Sequence, residues 1–293
     1  MKIVFFGNTK YSAIGLEIIN KKIPISLVVT IPDKPSGRKR EQKPTATKQF
    51  AKENSIPVLE TQKLDENALG KIKNIAPDFL VVEDYGLILP ESVLEIPKYA
   101  PLNIHHSLLP KYRGPSPAPS AILAGEAESG VTVIEMTNEV DAGDILAQVK
   151  YTLEKDETTD SLLTTLNKLG AELILDVIEN YQSGSEKPTS QNHKESTLTQ
   201  RLEKQNGHID IENPPGMEKL DRMIRAYYPW PTVWTEIDTS TQGQETRRIK
   251  IKLLPGKLIQ PEGKRPMSMK EFLNGYPQTK TYLEKLFDIK STK

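Results

Sequence analysis

Cysteine is absent from the 293 residues. That absence excludes disulfides, thiolate zinc sites and thioester chemistry, and it is the usage expected of a reducing compartment, here the cytoplasm. Net charge is absent as well: 39 Lys and Arg balance 39 Asp and Glu. A nucleic-acid partner therefore has to be met by local basic patches rather than bulk attraction, and a generic DNA binder is not expected. Long apolar runs are missing. The first residues, "MKIVFFGNTKYS", turn polar too soon for a signal segment or a membrane span, so no membrane partner is expected. The turn "GNTKYS" lacks the G-x-G-x-x-G spacing that brings backbone amides to a pyrophosphate, which argues against a dinucleotide cofactor. No internal repeat is seen.

What the chain does have is alternation of short apolar runs with amphipathic stretches. Apolar runs at residues 2–6, 25–29, 78–82 and 101–105 alternate with helical patterns at 12–20, 45–54 and 65–75. This is the pattern of an α/β fold, a parallel sheet with helices on both faces, and such sheets carry their sites at the carboxyl ends of the strands. Two β-rich runs, 130–136 and 145–151, flank the loop "TNEVDAGD", and a long helix over about 161–182 closes the domain. Residues 183–207 are polar and rich in Ser, Thr, Lys and Gln, as a linker is. A helix near 216–226, the kink "YYPWP" and short β runs at 233–237, 249–254 and 257–260 predict a small β module. The division is residues 1–183, a linker 184–207 and a C-terminal module 208–293.

Residues 103–114 read "NIHHSLLPKYRG" and hold two of the four histidines. Asn103 and His105 are two apart in a strand, so both side chains point to one face. Asp141 sits in the glycine-bearing loop "VDAGD", where the backbone can bend to deliver a carboxylate. An amide donor, an imidazole and a carboxylate, without cysteine or a serine elbow, suit direct attack by an amine on an activated carbonyl. Asn103 would hydrogen-bond the oxygen that becomes negative, His105 would add a donor or move a proton, and Asp141 would accept the amine's proton. Each also has a structural reading: Asn-x-His as a satisfied pair at a strand end, Asp141 as a turn residue, Asp144 as an Asx-turn or cap. His106 faces away from His105 and reads as structural. Adjacent histidines diverge on a strand and no third ligand has convincing spacing, so no metal is expected.

These stretches, "NIHHSLLPKYRGPSPAPSAI" followed by "GVTVIEMTNEVDAGDIL", resemble the formyltransferase family that uses 10-formyl-tetrahydrofolate. The resemblance runs over nearly the whole chain: "VVTIPDKPSGRKR", "PDFLVVEDYGLILP", "IRAYYPWPTVWT" and "PEGKRPMSMKEFLNG" are similar, in order, to segments of the branch that formylates initiator methionyl-tRNA. It implies a Rossmann-like formyltransferase domain followed by a small OB-like β-barrel. It also implies 10-formyl-tetrahydrofolate as co-substrate, initiator methionyl-tRNA as partner, and a monomer. Asn103, His105 and Asp141 fall in register with the family's N-x-H-x-S-L-L-P and D-x-G patterns. By the same resemblance Leu87, Ile88, Leu89, Ser107, Leu108, Leu109 and Pro110 would line the folate pocket, with backbone groups on the pterin edge. Arg38, Lys39 and Arg40 would meet the tRNA acceptor stem, and Arg247 and Arg248, with Arg222, Arg225, Lys250 and Lys252, would supply phosphate contacts. Read without the resemblance, the leucines are core residues and the charged runs are solvated surface.

The chain departs from the family pattern at three places. "GNTKYS" stands where Gly-Thr-Pro, an acidic residue and Phe are usual, which bears on the acceptor pocket. Lys39 follows Arg38 where a glycine is usual, and residues 249–261 are short for a full barrel. Two rival readings are a formyltransferase acting on a small amine, which needs no C-terminal module, and a tRNA-binding relative without catalysis, which needs no intact Asn103, His105 and Asp141.

Overall fold

The computed structural model describes residues 1–36, 41–240 and 248–287. In chain order its elements begin with β1 (Ile3–Phe6), α1 (Lys10–Lys22), β2 (Ile25–Thr30) and a small hairpin of β3 (Lys34–Ser36) with β4 (Glu41–Lys43). They continue with α2 (Ala46–Glu53), β5 (Val58–Glu60), α3 (Glu66–Ile75), β6 (Phe79–Val82), α4 (Glu91–Leu94), β7 (Ala100–His105), α5 (Pro117–Ala124), β8 (Glu128–Glu135), β9 (Ile145–Thr152) and α6 (Thr159–Ser183). The C-terminal part adds α7 (Met217–Ala226), β10 (Val233–Asp238), β11 (Arg248–Leu254), β12 (Leu258–Pro261), β13 (Met267–Ser268), α8 (Met269–Gly275) and α9 (Lys280–Leu286).

Contacts divide the chain into two units: residues 1–117, 128–152 and 163–200, and residues 118–127, 153–162 and 201–293. The first is built on a seven-stranded sheet in the order β5-β2-β1-β6-β7-β8-β9. The strands from β5 to β7 are parallel, and β8 and β9 are antiparallel additions at one edge. Strand alternation sorts its core into two layers. Ile3, Phe5, Val28, Val81, Leu102 and Ile104 pack on one side with Leu16 and Ile19 of α1 and Ala171, Ile174 and Ile178 of α6. Val4, Phe6, Val29, Leu80 and Val82 pack on the other with Ala68 and Ile72 of α3 and Val93 and Leu94 of α4. Fully apolar strands such as "IVFF" are thus read by both faces of the sheet, as buried parallel strands require.

Helix starts follow local chemistry. Thr9 caps α1 by accepting from the N–H groups of Tyr11 and Ser12, and Asp65 caps α3 by accepting from Ala68.

The second unit is described by itself. Its four-stranded antiparallel sheet runs β10-β11-β12-β13 and buries Val233, Ile237, Ile251, Leu253 and Ile259. Helix α7 buries Leu220, Met223 and Ala226, three residues apart along one face, as its amphipathic pattern requires. The antiparallel sheet fits an OB-like module. The polar stretch expected between domains is split between the units: residues 184–200 group with the first and 201–207 with the second. Within the first, Thr189 exchanges both backbone hydrogen bonds with Ile145 at 2.8 Å, and Arg113 does so with Thr197 and Thr199. The low apolar content of this stretch reflects backbone pairing to an edge rather than burial of large side chains. Among the described residues no helix is long and apolar enough to cross a membrane.

Candidate active site

The site is assembled where β6 and β7 end. These strands are paired with Val82 opposite Asn103, so the turns that follow them are neighbours. Asn103 and His105 project from β7, and the β8–β9 loop returns Asp141 to them. Asn103 Nδ2 donates to Asp141 Oδ1 at 3.4 Å, and His105 Nδ1 lies 3.5 Å from Asp141 Oδ2. The three residues singled out in the sequence are therefore one group.

Asp141 is held from behind. Its Oδ2 accepts the backbone N–H of Gly114 at 2.7 Å, and its own φ is +51°, a left-handed conformation uncommon for a residue with a side chain. Gln191 Nε2 donates to the carbonyls of Asp141 at 2.8 Å and Gly143 at 2.7 Å, while its Oε1 accepts from the guanidinium of buried Arg113. A Cβ on Gly143 would lie 1.7 Å from the Glu135 carbonyl, so glycine is required for the loop to turn this tightly.

His105 Nε2 is 2.9 Å from the carbonyl oxygen of Tyr112, an acceptor, while Nδ1 faces a carboxylate. The ring satisfies both when it carries both protons, and one of them when neutral. A direct contact from Nε2 to a substrate oxygen would require Tyr112 to release it. Asn103 is the less committed donor, with one long hydrogen bond among the described residues for its two amide hydrogens.

The turn expected to touch folate is tied to the sheet. Thr132 Oγ1 donates to Ser107 O at 2.7 Å and accepts from Leu109 N, and Gln148 Nε2 donates to Leu109 O at 3.0 Å. Thr132 and Gln148 face each other across β8 and β9. Ser107 Oγ donates to Lys111 O. Ser107, Leu89 and Leu109 are buried, and Leu108 and Pro110 half-buried. Leu87 and Ile88, by contrast, are exposed, Ile88 at 81%. An apolar side chain this open beside the strand ends fits the aliphatic contact that a pterin or aminobenzoyl ring needs. The carbonyls of Ser107, Leu108 and Leu109 are already engaged, by Thr132, Lys111 and Gln148.

Thr132, Gln148, Tyr112 and Gln191 were not singled out in the sequence. A threonine inside the apolar run "GVTVIEM" was a signal for the first; the others lie in stretches with no local signature. Asn8, in the divergent first turn, proves to be a tie between strands. Its Oδ1 accepts from Thr30 Oγ1 at 2.8 Å and Ile31 N at 2.9 Å, and its Nδ2 donates to Tyr85 O.

Of the expected tRNA contacts, Arg38, Lys39, Arg40 and Arg247 lie outside the described residues, and Arg248 is exposed at the start of β11. Arg222 and Arg225 are paired with Glu218 and Asp221 one turn earlier on α7. Lys250 lies 3.4 Å above the Trp234 ring, and its ammonium is shifted down by burial and by the charges of Lys204 and Lys252. Among the described residues no group of three His, Asp or Glu side chains is set to hold a metal ion.

An amide, an imidazole and a carboxylate meet at the carboxyl end of this sheet, and the family described as Formyl transferase matches residues 1–178, which makes the chain a group-transfer enzyme. The chain belongs to the formyltransferase family. Methionyl-tRNA formyltransferases are among its relatives within that family. It is 38% identical to that of Marinobacter nauticus over 81% of this chain and 76% of that protein. It is 34% identical to that of Enterococcus faecalis over 94% and 96%. The fold is shared with the sugar 3N-formyl transferase WlaRD, crystallised with dTDP and 5-N-formyl-THF, at a TM-score of 0.57 and 21% identity over 90% of this chain and 99% of that one.

Proposed function

We propose that this chain transfers the formyl group of 10-formyl-tetrahydrofolate to the α-amine of methionine on initiator tRNA. The observation that carries the reading is the reach of Asp141 to both Asn103 and His105 in a chain whose relatives, over most of their length, are methionyl-tRNA formyltransferases. The bound folate supplies an activated formyl carbonyl. Asn103 turns its amide hydrogens to the carbonyl oxygen as that oxygen gains charge, a contribution made fully in the transition state. Asp141 holds Asn103 in aim and balances the charge of His105 when that ring is protonated.

Leu87, Ile88 and Leu89 would hold the folate, with Leu108, Leu109 and Pro110 packing its ring. Arg38, Lys39 and Arg40 would meet the acceptor stem, and residues 208–293, Arg247 and Arg248 among them, the rest of the tRNA. The enzyme would act as a cytoplasmic monomer. The test is tetrahydrofolate release from 10-formyl-tetrahydrofolate with methionylated initiator tRNA, amino-sugar nucleotides, glycinamide ribonucleotide or no acceptor. Release with the charged tRNA alone supports the reading, and release with a small amine alone overturns it.

A further inference from the structure

The turn that follows β7 sets two of the site's groups from residues on either side of Arg113. The carbonyl oxygen of Tyr112 faces His105 Nε2 at 2.9 Å, and the N–H of Gly114 donates to Asp141 Oδ2 at 2.7 Å. A rotation of the backbone at Arg113 therefore moves the acceptor on the imidazole and the donor on the carboxylate together. Both flanking residues have positive φ, +60° at Tyr112 and +100° at Gly114. At Gly114 a side chain would also crowd its neighbour, since a Cβ would lie 3.0 Å from the Thr199 carbonyl oxygen. Such a turn persists only where the surrounding structure holds it.

What holds it is the Arg113 side chain, which is buried at 3% exposure. Nε and Nη2 donate to Gln191 Oε1 at 3.1 and 2.8 Å, and Nη1 and Nη2 reach His193 Nδ1 at 3.4 and 3.3 Å. A guanidinium only donates, so Nδ1 of His193 presents its lone pair and the ring proton sits on Nε2. Glu139 Oε1 lies 3.8 Å from Nη1 and its side chain is 72% exposed, too open a pair to fix the fork. Gln191 passes the support on, through its donation to the carbonyls of Asp141 and Gly143. Arg113 thus reaches Asp141 by two routes, the carboxylate through Gly114 and the main chain through Gln191.

We propose that Arg113 is a positioning residue for formyl transfer, aligning His105 and Asp141 at once, and that His193 holds its guanidinium in place from the exposed side. This rests on the formyl-transfer reading and deepens it. Neither residue is assigned a contact with substrate; both act through the turn and the loop that carry the reacting groups. The planar fork is what the role needs, because one guanidinium serves Gln191 and His193 together, and an ammonium on a flexible stem does not reproduce that geometry. The exposed position of His193 makes the support accessible to substitution without opening the core.

The experiment measures kcat and KM separately in full-length variants, using whichever acceptor the wild type formylates. Arg113→Lys keeps the charge and loses the fork, and is expected to lower kcat about a hundredfold with the KM for folate within about twofold of the wild type. Near-normal kcat overturns the assignment. Because loss of a buried guanidinium can unfold the chain, His193 carries a second series. His193→Asn offers an oxygen in the position of Nδ1 and is expected to keep wild-type kcat. His193→Lys sets a cation against the guanidinium and is expected to lower kcat about tenfold with Tm and the KM for folate unchanged. Equal kcat in the Asn and Lys variants overturns the proposal, as does a Lys variant whose Tm and folate binding fall in step with kcat. A third measurement needs neither variant nor substrate: nitrogen chemical shifts of His193 in the wild type, expected to report the Nε2–H tautomer. The Nδ1–H tautomer would overturn the proposal, because that nitrogen could not accept from Arg113. If the wild type formylates a small amine and not the tRNA, the acceptor reading falls while the Arg113 and His193 measurements keep their meaning.

Discussion

The backbone N–H of Gly114 meets Oδ2 of Asp141 at 2.7 Å, and this joins the turn after β7 to the loop between β8 and β9. The bond fixes a carboxylate 38 residues beyond Asn103 within hydrogen-bonding distance of it. Its removal should be felt in chemistry before it is felt in binding.

Replacing Asp141 by Asn puts an amide N–H group where Gly114, Asn103 and His105 all want an acceptor, and His105→Ala removes the cation-capable partner of Asp141. Each substitution is expected to cut kcat by about a hundredfold or more, the usual scale of acid–base and oxyanion contributions. Single-turnover formylation measures this directly, and near-normal turnover in both variants would contradict the site.

Gln191 tests whether the loop needs its support from the polar strap. Gln191→Ala strands the buried carbonyls of Asp141 and Gly143 and one side of the Arg113 guanidinium. Each unmatched group costs about 1–3 kcal/mol, so a clear drop in Tm with a fall in kcat and little change in folate affinity is expected. Loss of stability alone, with kcat preserved, would make Gln191 a packing residue.

Glu83→Gln separates burial of a charge from burial of a polar shape. A carboxyl whose folded pKa is raised above its unfolded value of about 4.3 stabilises fully below that value, and the contribution is lost as pH rises through the folded pKa. The uncharged amide escapes this loss. Its Tm advantage over the wild type is expected to grow from about pH 4 to about pH 8 in thermal melts, and a difference independent of pH would mean that Glu83 is not held neutral.

The basic run Arg38, Lys39 and Arg40 is assigned to RNA by resemblance. Changing all three to Ala is expected to raise KM for tRNA and to flatten the dependence of log K on log salt by up to about two to three units, leaving folate binding intact. Unchanged tRNA kinetics across a salt series would return the run to solvated surface.

Pattern alone determined the α/β class, the main-sheet strands other than β5 with helices α1, α2, α3 and α6, and the placement of Asn103 and His105 on one face, because burial on both faces of a sheet and the two-residue repeat of a strand are local consequences of side-chain chemistry; β5, the β3–β4 hairpin, α4 and α5 carried no such signal. The polarity of residues 184–207 pointed to a linker, yet backbone groups carry no residue signature, and Thr189, Thr197 and Thr199 pair with Ile145 and Arg113 all the same. Tertiary structure decided that Asp141 meets Asn103, that Gln191 holds its loop, and that Glu83 and His106 share a buried space opened by Gly15. These are meetings between strand ends and loops far apart in sequence, settled by sheet register, and no local preference of either partner encodes them.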